Sequence, residues 1–253
     1  TQKSGLFWYH PHHHELSAGQ GSAGLAGMII VEDRLDKLPV FKNSHERTLV
    51  LADPAIGNSS AIITTSQMDR MHGRSGPNTL VNGELIPSFV VDSSQPERLR
   101  VVNACVSTYQ TISVPGAQLW QLSTDSSRLT KPYKVNSITL TPGQRTEALI
   151  VAPKAGPYTL MSDVQDLAKF SFSVASKFLD TSPILGYTPI GKVDKTRTLT
   201  IKGMGMMGGM SHEASFTFDG KSFDPKRIDQ QIKFGTIEEW IINNPSSMHH
   251  PFH

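Results

Sequence analysis

The chain has 253 residues, of which 38% are hydrophobic and 18% charged, with a formal net charge of +2 at pH 7. This composition is typical of an ordinary globular protein of one or two domains with a sizeable buried core, and it argues against a disordered chain. No apolar run of about 18 residues is present, so we predict no transmembrane helix and no membrane partner. Acidic and basic residues are interspersed, which argues against a nucleic-acid partner.

The first chemical signal in chain order is a histidine-rich stretch, residues 7–14 (FWYHPHHH). Side chains two apart on an extended strand point to the same face, so His10 and His12 can present two imidazoles to one metal ion. Neutral imidazole is a good ligand for copper and zinc. A flexible or tag-like histidine run remains the alternative for this stretch alone. We interpret His13 and His14 as surface or supporting residues.

The next segments predict a strand, a linker and a second folded unit. Leu25–Asp33 (LAGMIIVED) is a short apolar run that predicts a buried strand. Arg34–Glu46 is charged and irregular, which indicates a linker, and Arg47–Asp53 then begins the next unit as a strand. Pro54–Pro77 is rich in Gly, Ser, Asn and Thr and predicts a long loop, in which we interpret His72 as a solvated residue.

Short strand-like segments dominate the middle of the chain. Alternation at residues 98–101 (RLRV) predicts a half-buried strand, and no segment shows a helical period over a dozen residues. Many short strands separated by turn residues predict an all-β sandwich or barrel. The nine segments are TLVNG, SFVVD, ERLRVVNA, TYQTISV, QLWQLSTD, SITLT, TEALIVA, YTLMS and FSFSVA, all between residues 79 and 175.

An internal repeat follows about one domain length later. A repeat at this period indicates duplicated domains rather than a solenoid, whose repeats are about 20–50 residues long. Asn82-Gly83, Pro87 and ERLRVVN at 97–103 recur as Asp219-Gly220, Pro225 and EEWIIN at 238–243.

Three groups of residues form recognisable motifs. They are residues 5–12 (GLFWYHPH) with Gln20, 24–27 (GLAG) and 31–33 (VED); residues 142–145 (PGQR); and His250-Pro-Phe-His253. Together they resemble motifs of one family, the multicopper oxidases. The first group resembles the end of the family's first cupredoxin domain, the second resembles a turn of its middle domain, and the third resembles the start of the His-Pro-x-His-x-His-Gly motif in its last domain.

The resemblance implies a cupredoxin-like Greek-key β-sandwich fold and copper at type 1, type 2 and type 3 sites. It also implies one-electron oxidation of phenols, aromatic amines or metal ions, coupled to the reduction of dioxygen to water. By motif, His10 and His12 correspond to type 3 ligands, His250 to the first type 1 histidine and His253 to the type 2 ligand. The family is mostly exported, which implies a periplasmic or extracellular location.

The resemblance also divides the chain. Residues 1–46 would form the end of the first cupredoxin domain plus a linker, 47–190 the complete middle domain, and 191–253 the beginning of the third. The family's first His-x-His-Gly motif should precede residue 1 and its His-Cys-His motif should follow His253. We therefore expect an internal fragment that is inactive as an oxidase by itself, and open strand edges that favour homo-oligomers or edge pairing.

Two sulfur-containing features are less decisive. Cys105 is the single cysteine and has no histidine neighbour in the sequence, so we predict a small core residue rather than a copper ligand. Residues 204–212 (MGMMGGMSH) resemble the methionine-rich segments of oxidases that act on cuprous ions. Such a segment could bind Cu(I), because thioethers favour this ion. The alternative is a glycine-rich strand whose methionines fill a core.

Three other functions remain open at this point. The chain could be a non-catalytic copper-binding protein, a purely structural or interaction domain, or a part that needs a second chain to complete its site. For the metal site itself, we expect Trp8 and Tyr9 to pack beside His10. We also expect Glu15 or Asp33 to accept a hydrogen bond from a ligating imidazole.

Overall fold

The computed structural model of the protein describes residues 2–42, 44–57, 61–63, 66, 68–69, 73–177, 184, 190–203 and 216–246. The chain divides into two compact units, Thr1–Tyr187 and Thr188–His253. Within the described ranges, no helix is both long enough and apolar enough to cross a membrane.

The first unit is built almost entirely of strands, as the sequence predicts. Its short helices are α1 (Ser17–Ser22) and α2 (Pro39–Lys42), with a 3-10 turn at Arg34–Lys37 between β2 and β3. The strands are β1 (Gly5–Tyr9), β2 (Gly27–Val31), β3 (His45–Ala52), β4 (Leu80–Val81), β5 (Ser88–Val91), β6 (Glu97–Asn103), β7 (Gln110–Ile112), β8 (Gln118–Thr124), β9 (Ser127–Val135), β10 (Ile138–Leu140), β11 (Arg145–Val151), β12 (Gly156–Met161) and β13 (Asp166–Phe172).

These strands form a two-layered sandwich with a small ribbon attached. One layer is a six-stranded sheet in the order β4-β3-β6-β11-β8-β9, and the opposite layer contains β12-β13-β5 and β10-β7. Alternate residues of the facing strands meet in one apolar core, where Leu99, Ile150 and Phe170 are completely buried. Strands β1 and β2 pair antiparallel as a separate two-stranded ribbon, with Gly5 opposite Val31.

The predicted linker is structured, and this corrects two expectations. An Asp33–Asp36 capping box begins the 3-10 turn, and α2 follows it. Phe41 of α2 is buried against the six-stranded sheet beneath two guanidinium groups, those of Arg98 at 4.5 Å and Arg128 at 4.4 Å. Because the linker covers the second face of β6, that strand is fully buried rather than half-buried.

The internal repeat of the sequence is also a repeat of structure. Asn82 has a positive φ of 53°. Its side-chain Oδ1 accepts a hydrogen bond from the Val50 backbone amide at 2.8 Å, and its backbone amide donates to Val50 O. In the second unit, Asp219 has a φ of 50° and makes the same two bonds with Thr200. In both copies the polar side chain and the glycine that follows it reverse the chain in the left-handed region.

We expect Asn82→Ala to lower the free energy of unfolding by about 2 kcal/mol, because alanine loses the side-chain bonds to Val50 N and Thr48 O and costs about 1 kcal/mol more in the left-handed region. Asn82→Gly keeps the backbone conformation accessible and should cost less than alanine. Urea unfolding of both variants measures the difference. Equal values for alanine and glycine would contradict a role for the backbone conformation.

The second unit contains a four-stranded sheet in the order β16-β15-β14-β17. Its strands are β14 (Lys195–Gly203), β15 (Phe216–Phe218), β16 (Lys221–Ser222) and β17 (Glu238–Asn243). Strand β14 pairs parallel with β17, as β3 does with β6. An ion pair recurs as well, since Arg197 Nε lies 2.5 Å from Glu238 and Arg47 Nε lies 2.5 Å from Glu97.

Candidate metal centre

Two of the predicted metal ligands lie side by side just after the end of β1. His10 and His12 are both exposed, with ring centroids 5.8 Å apart and planes inclined by 40°. Two metal–nitrogen bonds of about 2 Å each, added to the radius of each ring, span a separation of this size. The two imidazoles therefore lie next to each other, just beyond the strand on which the sequence spacing would place them.

A hydrogen bond indicates which nitrogen of His10 is available to a metal. His10 Nδ1 lies 3.0 Å from the carbonyl oxygen of Pro11, a contact that requires Nδ1 to carry the proton. Nε2 is then the unprotonated nitrogen, which is the form that binds metal. At His10 the acceptor is thus a backbone carbonyl rather than Glu15 or Asp33. Asp33 instead accepts bonds from Ser4 Oγ and the Leu35 amide.

The aromatic residues before the histidines pack as expected in one case and differently in the other. Trp8 is half-buried and stacks on the His10 ring with centroids 4.3 Å apart and planes 25° apart. Tyr9 lies across Gly27 of the neighbouring strand, where any Cβ would overlap the phenol ring. Of these two aromatic residues, Trp8 is the one whose ring stacks on an imidazole.

The ribbon that carries these histidines is fixed to the sandwich by backbone contacts. Arg145 donates from both Nε and Nη2 to Leu6 O, at 3.2 and 3.1 Å. Gly5 lies so close to the β8–β9 turn that a Cβ at this position would come within 2.8 Å of Ser126 Cα. The side chain of Leu6 is 1% exposed. Sequence reasoning missed these anchoring residues, because their partners lie more than 100 positions away.

The other histidines do not add a third ligand within the described part of the chain. His13 Nδ1 contacts His14 O at 2.9 Å in the exposed turn that follows. Among the described residues, no group of three or more His, Cys, Asp or Glu side chains is arranged to hold a metal ion. Several predicted features lie outside the described residues: His72, the methionine-rich segment 204–212, His249, His250 and His253.

Cys105 is a buried residue of the first unit, in agreement with its predicted role. Its side chain is 3% exposed, and the Gln110 amide lies 3.6 Å from its sulfur. Burial, together with the nearby Asp53 carboxylate, raises the pKa of the Cys105 thiol. A protonated, buried thiol is a poor copper ligand, since metals bind the thiolate.

The donor set at His10 and His12 fits copper. Two exposed imidazoles are ligands of a type that suits copper, and in the neutral His10 ring the Nε2 atom is free of a proton. The backbone carbonyl that orients the His10 ring is a common outer partner of metal-binding histidines. Two imidazoles by themselves do not complete a copper coordination sphere.

Comparisons with known proteins point to one family. Three family profiles described as multicopper oxidase match the chain, at residues 1–36, 42–184 and 197–253. A multicopper oxidase, mco, from Staphylococcus aureus is 26% identical over 258 residues, which cover 100% of this chain and 54% of the relative. A cell division protein, FtsP, from Dickeya dadantii is 27% identical over 271 residues, covering 100% of this chain and 56% of the relative.

A solved structure gives the same answer for the fold. The multicopper oxidase from Campylobacter jejuni, titled a metallo-oxidase, superposes with a TM-score of 0.82 at 27% identity, over 97% of this chain and 56% of that chain. This confirms the predicted all-β, cupredoxin-like fold. The chain spans about half the length of the curated relatives it matches. Since the profile match at residues 42–184 alone covers more than half of the sequence, the chain belongs to the multicopper oxidase family, whose members are oxygen-dependent oxidoreductases with copper at type 1, type 2 and type 3 sites.

Proposed function

We propose that this chain supplies copper ligands to a multicopper oxidase that couples one-electron oxidation of a phenolic or metal-ion donor to the reduction of dioxygen to water. The observation that carries the proposal is the pair of imidazoles, His10 and His12, held 5.8 Å apart at the end of an anchored strand. Copper, when bound, supplies the one-electron steps. The chain's own residues hold the metal and fix the orientation of its ligands.

The remaining assignments are part of the same proposal. His10 and His12 would hold type 3 copper, His250 type 1 copper and His253 type 2 copper. The domain division is 1–46, 47–190 and 191–253, each a cupredoxin unit or a part of one. We also infer a periplasmic or extracellular location, dioxygen and a small donor as partners, and self-association through strand edges.

Copper content tests the proposal. We expect the chain, loaded with Cu(II) and dialysed exhaustively, to retain copper by elemental analysis. His10→Ala and His12→Ala should each weaken copper retention at least about tenfold. Loss of a residue that only hydrogen-bonds to a metal ligand weakens metal affinity roughly 10–100-fold, and loss of a ligand itself should cost more. His14→Ala is the matched control, since it removes an exposed histidine from the same run.

Two results would contradict this assignment. Negligible copper uptake by the unaltered chain would show that His10 and His12 hold no copper in this chain. An equal loss in His14→Ala and His10→Ala would show adventitious binding by the histidine run. Oxygen consumption by the copper-loaded chain with a phenol or Cu(I) as donor would contradict the expectation that the chain is inactive as an oxidase by itself.

A second candidate function is a non-catalytic role. The similarity to a relative named as a cell division protein favours it, since that relative is about as similar to this chain as the oxidases are. In that case the sandwich serves as a structural or interaction module, and the histidines are not required. Unchanged binding to a cell-division partner after His10→Ala, together with no retained copper, would support this alternative.

A further inference from the structure

The indole of Trp8 joins the candidate ligand His10 to a distant turn of the sandwich. It stacks on the His10 ring at a centroid distance of 4.3 Å. The same indole lies over Gly143, where a Cβ would come within 3.0 Å of Trp8 Cζ2. An alanine at position 143 would therefore crowd the indole, which would have to move by a few tenths of an ångström.

The turn beneath Trp8 is firmly held. Gly143 has a φ of 80°, and Gln144 N donates to Thr141 O at 2.9 Å, which together with Pro142 describes a type II turn. The Gly143 amide donates to Asn103 O at 2.8 Å, and Asn103 is completely buried at the end of β6. Trp8 therefore rests on a surface whose position is fixed by the central sheet.

His10 needs such a support. Its ring is exposed and stands just past the last residue of β1, where the strand ladder no longer restrains it. The contact of its Nδ1 with Pro11 O fixes the tautomer but comes from the adjacent residue, so it cannot fix the ring relative to the sandwich. The stacked indole is the contact among the described residues that can do so.

We propose that Trp8 is a positioning residue for His10: the indole, resting on Gly143, holds the imidazole in the orientation that presents Nε2 to copper. The inference rests on the proposed function, because it takes His10 as a ligand. It extends that function by making a turn of the middle sandwich, more than 130 positions away, part of the support of the metal site.

The test uses Trp8→Leu and Trp8→Phe in the full chain, with two measurements. In the metal-free protein, the NMR resonances of the His10 ring report the stacked indole through its ring current. With metal, competition with a chelator gives the Cu(II) dissociation constant. We expect Trp8→Leu to move the His10 resonances toward free-imidazole positions. It should also raise the Cu(II) dissociation constant about tenfold, the low end of the effects measured for residues that contact a metal ligand without binding the metal. Trp8→Phe should restore part of both.

A second pair of variants leaves Trp8 in place. Gly143→Ala forces a methyl group against the indole, whereas Gly83→Ala adds the same methyl group at a nearly identical φ of 84° with no atom within 4 Å. We expect Gly143→Ala to reproduce the shift of the His10 resonances and the weaker copper binding, and Gly83→Ala to change neither. The two glycines have similar positive φ angles, and the contact with Trp8 is the difference between the two alanine variants that is tested.

The outcomes distinguish this inference from the proposed function. If Trp8→Leu moves the His10 resonances but leaves the dissociation constant unchanged, or moves neither, the positioning role is refuted. If His10→Ala itself leaves copper binding unchanged, the ligand assignment fails instead. Amide hydrogen exchange of β1 in each variant shows whether the strand stays docked, and a loss of copper explained by undocking alone would also refute the role.

Discussion

Asp36→Asn is expected to lower the free energy of unfolding by about 3 kcal/mol, the cost of removing one partner from a buried ion pair. Asp36 accepts from Arg98 and from Arg128, each at 2.8 Å, and its side chain is 10% exposed. An amide at this position leaves two buried guanidinium groups facing a neutral neighbour. It also weakens the attachment of Phe41 and the rest of the linker to the sheet. Urea unfolding followed by tryptophan fluorescence measures the change.

The pH dependence of stability provides a second readout for Asp36. Burial alone would raise its pKa, but hydrogen bonds from Arg98, the Asp33 backbone and Arg128 lower it from 3.8 to about 2. Its contribution to stability is therefore complete above pH 3.8 and is lost as the pH falls toward 2. Asp36→Asn should remove this dependence. Asp125→Asn, at a more exposed pair with Arg145, is the control and should cost no more than about 1 kcal/mol.

Gly5→Ala is expected to displace β1 from the sandwich and with it both candidate ligands. The new Cβ would overlap the backbone of Ser126, which cannot move aside as a flexible side chain could. Overpacking of this kind costs about 3 kcal/mol, enough to undock the ribbon while the sandwich stays folded. Faster amide hydrogen exchange at Leu6 and Trp8, and loss of retained copper, are the measurements.

Gly156→Ala is a matched control for this variant. Gly156 has a φ of 136°, close to the 132° of Gly5, but no atom lies within 4 Å of the position of its Cβ. The two variants carry similar backbone strain and differ in the clash. Normal copper retention and normal exchange of β1 in Gly5→Ala would show that the close approach to Ser126 does not fix the ribbon.

The sequence predicted most of the sheet but missed one strand, for an identifiable reason. Alternating or continuous apolar residues place β6, β8 and β11 within a residue or two of their observed bounds. Strand β9 contains Pro132, which argues against a central strand. In the structure β9 is the last strand of the sheet, and its pairing with β8 shifts register between Gln121 and Ser123. An edge strand with a bulge accommodates proline, and no short-range pattern reveals which strand will be the edge.

The linker shows a second limit of sequence analysis, which is that very short helices are not detected. A local signal was present, since Asp33 and Asp36 have the spacing of a capping box, but the elements it begins are only four residues long. A search for helical periodicity over a dozen residues cannot find them. The burial of Arg98 was equally hidden, because alternating arginines predict an exposed face unless acidic partners cover it. Those partners, Asp36 and Glu46, come from a separate segment.

For the candidate site, the sequence revealed the ligands but not their supports. His10 and His12 follow from a spacing of two residues, which is local information. The contacts of Arg145 with Leu6 and of Gly143 with Trp8 join positions more than 130 residues apart. Such contacts depend on the tertiary fold, and a single sequence carries no pattern for them.

The parallel pairing of β3 with β6 has a consequence for how the chain is made. His45 lies opposite Glu97, 52 positions later, so β3 leaves the ribosome well before its parallel partner β6 exists. At a synthesis rate of about 5–20 residues per second, β3 waits roughly 3–10 s for β6. During this time its apolar residues, Leu49 and Leu51, are available to other chains or to chaperones. The length of this delay is set by sheet order, so it should shorten if the chain between β3 and β6 is shortened.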